Sequence, residues 1–321
     1  MFNLWRKYIK ISFEDSSKET ETRVKNKLLS DLCWYADLNG KACYIEYAKC
    51  KIQERWEFEK KKPLFDRRKI NFKNAKATLK EIGLPKNSWF VTLHVRDSGF
   101  YTGKPGSKDN IDDYRDANIT TYFEAIEEIT KRGGYVVRAG DPKMKTTKKM
   151  PGLIDYAHHP KRSNLCDMYL FANCRFFIGT SSGPILNPFL FGVPVVGTNY
   201  APIAGRLHGS KSIVIHKKIY SDEKKRFLKI QECLQSAFGR GWASHHYQAN
   251  NLRLIDNTSE EIKDAVIEMI ETLDKAIQYS AQQEKLQNQI NSLYNKYSGY
   301  GSSGRIGRRY LANISNLGLL N

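Results

Sequence analysis

The distribution of apolar and polar positions divides the chain near residue 88. Residues 18–62 mix charged and aromatic residues without a proline and read as helix, with Gly40 dividing the segment and Pro63 closing it; a strand at 42–47 is the alternative. Residues 72–82 place apolar positions at helical spacing and stop at Gly83 and Pro85. Residues 89–95 are instead a short apolar run, the pattern of a strand buried on both faces. A long polar loop (98–117), a helix (119–131) and Gly133-Gly134 lead to a second strand at Tyr135–Arg138. A helix at 164–173 precedes a third strand at 175–179, and a turn opens a helix at 184–192. Two further strands follow at 193–197 and 212–216, then helices at 222–238 and 259–295. Residues 298–321, rich in Gly and Ser at their start, read as a loosely held tail.

Strands separated by helices predict an α/β fold: a Rossmann-like, mostly parallel doubly wound sheet, with an N-terminal helical region and C-terminal helices. The corresponding division is 1–88, 89–250 and 251–321. The 321 residues are 40% hydrophobic with 10 Pro and 22 Gly, which excludes a disordered or collagen-like chain. No apolar run reaches spanning length, and residues 1–13 lack the pattern of a signal peptide, so a cytoplasmic location is expected. Cys33, Cys43, Cys50, Cys166, Cys174 and Cys233 form no C-x-x-C pair and read as free thiols.

Charge changes this picture. The formal net charge is +18, from 21 basic against 12 acidic residues in 1–88, 23 against 14 in 89–250, and 8 against 8 in 251–321. Such a surplus invites an anionic partner: nucleic acid, acidic lipid or a phosphate-bearing ligand.

In a parallel sheet ligands bind beyond the carboxyl ends of the strands, and three clusters fall there. They are His94-Val95-Arg96-Asp97, Gly140-Asp141-Pro142 and Thr180-Ser181-Ser182-Gly183-Pro184. The serine turn before a proline-initiated helix is suited either to an anion or to an ordinary N-cap. Arg96 can pair with a phosphate or with Asp97 or Asp116. His94 can be a ligand, a base or a core histidine, and Asp97 or Asp141 can take a hydroxyl proton. Asn118 is read as a helix cap. The motifs of P-loop, dinucleotide, zinc-protease and serine-hydrolase sites are absent, as is a D-x-D metal pair.

The run from Val91 through His94-Val95-Arg96-Asp97-Ser98-Gly99-Phe100-Tyr101 resembles a family of bacterial glycosyltransferases of surface polysaccharide and lipopolysaccharide assembly. So do Tyr114-Arg115-Asp116-Ala117-Asn118-Ile119, Gly140-Asp141-Pro142, Leu153-Ile154-Asp155-Tyr156, the run from Cys174 to Pro184 and that from Phe191 to Asn199. The H-x-R motif and serine turn are similar to those of O-fucosyltransferases with a GT-B fold. The resemblance implies a nucleotide-sugar-binding domain at 89–250 and an inverting, metal-independent transferase without a cofactor. Its substrate would be a nucleotide-diphosphate sugar, a GDP-sugar before a UDP-sugar. It implies donor contacts at Arg96, Ser181, Ser182 and around Asp141; the reading of the strand-end clusters adds His94, Arg138, Gly140, Thr180, Gly183 and Asn199 for the donor, and that of the long loop Tyr101, Tyr114 and Arg115 for the acceptor. Arg96 would meet the pyrophosphate, with Asp97 as general base and Asp116 as second choice.

The acceptor would be a glycan or lipid-linked chain, with the basic N-terminal region, including Trp5-Arg6-Lys7-Tyr8-Ile9-Lys10, at the inner face of an anionic membrane. The competing readings are a non-catalytic basic module for membrane or nucleic acid, and an inactive sugar-nucleotide binder. Nucleic acid ranks last among the anionic partners.

Overall fold

The computed structural model describes residues 59–60, 62–101, 112–207, 209–240, 243–297 and 304–320. The expected helical region before residue 59, its alternative strand, the segment Trp5 to Lys10 and Cys33, Cys43 and Cys50 lie outside the described residues. Cys166, Cys174 and Cys233 are buried with free thiols.

The main sheet is built from β1 (Phe90–His94), β2 (Tyr135–Arg138), β3 (Leu153–Ile154), β4 (Phe177–Gly179), β5 (Val195–Tyr200), β6 (Ile213–His216) and β10 (Arg305–Ile306). Their order is β10-β6-β5-β4-β1-β2-β3, every pairing parallel. All five residues of β1 are buried, as a central parallel strand requires. Val136 and Val137, Phe177 and Ile178, and Val195 and Val196 continue the same core to either side. The doubly wound α/β fold expected from the sequence is the fold observed.

Helices flank the sheet. On α3 (Asn164–Asn173), the Leu170 carbonyl accepts from Thr92 Oγ1 at 2.9 Å and the Tyr169 ring stacks on Phe90. Its first turn is capped by Ser163, whose hydroxyl accepts from the Cys166 N–H, and α1 (Lys73–Glu81) packs beside it. The helix α2 (Phe123–Lys131) follows a 3-10 turn whose first N–H groups are met by Asn118, the cap expected. It packs on α7 (Ser259–Leu273), which starts at a reciprocal capping box between Thr258 and Glu261.

Three expectations are corrected. The helix expected at 184–192 is a 3-10 turn, Gly183–Leu186, followed by a single helical turn, α4 (Asn187–Leu190), because Pro188 lacks the N–H that would continue the helix onto the Pro184 carbonyl. Residues 222–238 are not one helix. They supply β8 (Arg226–Phe227), which joins β7 (Lys218–Ser221) and β9 (Leu252–Ile255) in a small antiparallel sheet, and only then form α5 (Ile230–Gln235). The hairpin turns at Lys225, with φ of 52°, and α6 (Ser244–Gln248) precedes its third strand. The last residues are no loose tail: β10 pairs with β6, and α9 (Arg308–Asn316) buries Tyr310, Leu311 and Ile314 against α7 and α8 (Ala281–Tyr297).

Candidate functional site

The connections leave β1 toward β2 on one side and β4 toward β5 on the other, so the loops diverge between β1 and β4 and open a crevice at their carboxyl ends. The register sets His94 beside Gly179, which brings the first and third sequence clusters together. A cavity of about 340 Å³ lies there. Eight expected residues line it: His94, Arg96, Asp97, Arg115, Gly140, Asp141, Ser182 and Gly183. A larger cavity of about 740 Å³ lies at the opposite ends of the strands, beside Trp89, Arg175 and Pro194, away from all three clusters.

His94 is buried, with Nδ1 at 3.2 Å from Ser182 Oγ. Burial, then the charges of Arg138 and Arg96, push its imidazole down to about 4, so it is neutral at physiological pH. Arg96 is buried; its Nη1 donates to the Asp112 carbonyl at 2.6 Å and pairs with Asp116. Burial raises Asp116 to about 6 against the opposing pull of Arg96. Asp97 accepts from the Gly99 N–H and the Lys145 N–H, both at 2.9 Å, and so ties the loop after β1 to the loop after β2. Asp141 accepts from the Lys143 N–H through Oδ1 alone. A Cβ at Gly140 would press on the Met144 sulfur and force that side chain to shift, whereas a Cβ at Gly183 would enter open space. Arg115 pairs with Asp112 at 2.6 Å, and its Nε is buried without a hydrogen bond among the described residues.

The other expected residues stand behind this wall. Arg138 is 1% exposed; it pairs with Asp155 at 3.2 Å and donates to the Lys145 carbonyl at 2.7 Å. His158 bridges the same Asp155 and the Met144 carbonyl, at 2.8 and 2.7 Å. This group shapes the loop that carries Asp141. Thr180 Oγ1 accepts from the Arg96 N–H, and Ser181 Oγ donates to the Ala201 carbonyl at 2.6 Å, joining the ends of β4 and β5. Asn199 exchanges two hydrogen bonds of 2.6 Å with Asn257 and donates to Tyr122 Oη. Asp116 supports Arg96 from outside the lining, and Tyr114 is buried against Tyr247. The Tyr101 side chain lies outside the described residues, so Arg115 alone of the three acceptor candidates is seen at the cavity.

The sequence reading missed Met144, Arg162, Asp167 and Phe171, which also line the cavity. Arg162 Nε is buried without a hydrogen bond among the described residues, and burial raises the Asp167 carboxyl. A signal was available. Asp167 interrupts the apolar side of α3, and Phe171 lies four residues on, along the same helical row.

No family model and no curated protein matches the chain. Among solved structures, it is similar to a glycosyl transferase family 9 protein from Veillonella parvula, at 16% identity and a TM-score of 0.38. That match covers 63% of this chain and 50% of the other, so the chain spans about half the length of that protein. The functional reading therefore rests on this chain's own residues. Among the described residues, no three His, Cys, Asp or Glu side chains gather as a metal-holding group, and no helix is long and apolar enough to cross a membrane.

Proposed function

We propose that the chain is an inverting, metal-independent glycosyltransferase that moves a sugar from a nucleotide-diphosphate donor to a glycan or lipid-linked hydroxyl. The observation that carries the reading is Arg96: a buried guanidinium at the end of the central strand, beside a neutral histidine, a serine turn and two glycines on one cavity wall. A diphosphate leaving group gains negative charge as the sugar–oxygen bond breaks. Fixed guanidinium groups in a partly dry site stabilise that charge without reorganising. Arg115 and Arg162 line the same cavity and offer further guanidinium groups to the diphosphate, beside Asp97, Asp141 and Asp167.

An acceptor hydroxyl becomes a competent nucleophile only as its proton leaves. Asp97 is bonded at both oxygens and Asp116 stands outside the lining, so the proton is assigned to Asp141, which lines the cavity and whose Oδ2 has no partner among the described residues. Asp97 becomes a support for the loop. The donor is a GDP-sugar in preference to a UDP-sugar, by the fucosyltransferase resemblance, and the enzyme works at the inner face of the cytoplasmic membrane in surface polysaccharide assembly.

Titrating GDP, UDP and CMP against the purified protein tests the reading through thermal shift. GDP is expected to raise Tm most. Arg96→Ala should abolish that rise while the ligand-free protein stays folded. No rise with any nucleotide, or a full rise in the Arg96→Ala variant, would overturn the reading.

A further inference from the structure

A buried lysine stands behind the cavity wall with no task in the chemistry above. Lys217 follows β6, where the chain leaves the main sheet for the antiparallel hairpin, and it is 4% exposed. Its ammonium pairs with Asp256 at 2.8 Å and donates to the backbone carbonyl of Asp116 at 2.6 Å. A desolvated ammonium costs several kcal/mol unless it is paired, and a methionine would fill the same volume without that cost. The charge therefore calls for a reason.

The residue that Lys217 grips supplies it. Residues 112–118 bring Arg115 to the cavity and Asp116 to Arg96, and they have no regular secondary structure beyond one 3-10 turn, Asp113–Arg115. The segment is held from outside by the Arg96 guanidinium on the Asp112 carbonyl and the Asp116 carboxyl, and by the Ser244 hydroxyl on Asp113. Ala117 N–H donates to the Arg96 carbonyl at 3.0 Å, and Tyr114 N–H donates to Ser244 Oγ at 3.2 Å. Lys217 supplies a further tie, through a second buried cation in addition to Arg96. The carboxyl of Asp116 faces Arg96, Lys217, Asp113 and Asp97; the two acids favour its neutral form and the two cations its ionised form.

We propose that Lys217 is a positioning residue that fixes Asp116, and through it Arg96, at the wall of the cavity. The ammonium does this in two ways: it anchors the Asp116 backbone, and it helps keep the Asp116 carboxyl ionised so that the ion pair with Arg96 persists. Only the identity of the ligand used below rests on the proposed transferase function.

Two measurements test the proposal on Lys217→Met and Lys217→Arg. The first follows the Asp116 carboxyl by carbon NMR without ligand, its signal identified with Asp116→Asn. The second measures GDP affinity by calorimetry. Lys217→Met should move the Asp116 titration to higher pH and weaken GDP about tenfold, the scale of one charged hydrogen bond. Lys217→Arg should recover part of both. A merely structural lysine would lower Tm in the Met variant and leave both readouts unchanged, and that result, or an Arg variant no better than Met, overturns the proposal. If the Met variant does not fold, Lys217→Gln keeps a donor to the carbonyl without the charge and should still move the titration. Absence of GDP binding by the wild type would count against the transferase reading, while the Asp116 titration still decides the role of Lys217.

Discussion

His94 and His216 are both buried, and burial pushes each imidazole from the ordinary 6.5 down to about 4. The unfolded chain therefore binds more protons than the folded one between those values, and both residues make stability rise as pH climbs through that window. Asp116 works the other way. Its folded value is raised from 3.8 to about 6, so its contribution is complete below 3.8 and is lost as pH rises through 6. The two effects oppose each other across much of the same range. Asp116→Asn removes the opposing one, so stability of that variant should climb more steeply with pH between about 4 and 6 than the wild type does. Urea midpoints across that range check it, and parallel curves would show that burial does not hold Asp116 protonated. The sequence makes His94 visible as a strand-end residue but not its neutrality, which depends first on its burial in the fold and then on Arg138 and Arg96 coming close in space.

At the scale of elements, the apolar runs at 90–94, 135–138 and 195–197 were legible as strands because each is long enough to show its pattern. The two-residue strands β3, β8 and β10 were not, since two residues carry no periodicity. The C-terminal segment shows the cost of reading composition over spacing. Its Gly- and Ser-rich start suggests a loose end, yet Tyr310, Leu311 and Ile314 lie on one helical face, and all three are buried. The segment is further held by the Arg308 N–H on Glu268 at 2.6 Å and by Arg308 on Glu271 at 2.6 Å. Ile314 is 0% exposed, so Ile314→Ala should cost about 2–5 kcal/mol in urea unfolding, as for a core truncation. A loosely held tail would instead give a change within about 0.5 kcal/mol, as at the surface.

At the scale of the whole molecule, the positive charge divides by environment. Arg96 and Arg138 are buried and committed to partners around the cavity. Lys69, Lys73, Lys76 and Lys80, on and before α1, are exposed to solvent. Salt acts differently on the two groups: the Debye length is about 10 Å at 0.1 M, and exposed charges are screened far more than buried ones. The proposed membrane docking, through the exposed charges, and the proposed donor binding, through the buried ones, should therefore separate as salt is raised from about 0.05 M to about 0.5 M. Sedimentation with anionic phosphatidylserine vesicles should fall away over that range, while the calorimetric affinity for GDP should fall much less. Equal losses would mean that the ligand meets the protein through its exposed charge and not at Arg96. Vesicle binding indifferent to salt would remove electrostatic docking from the proposed function.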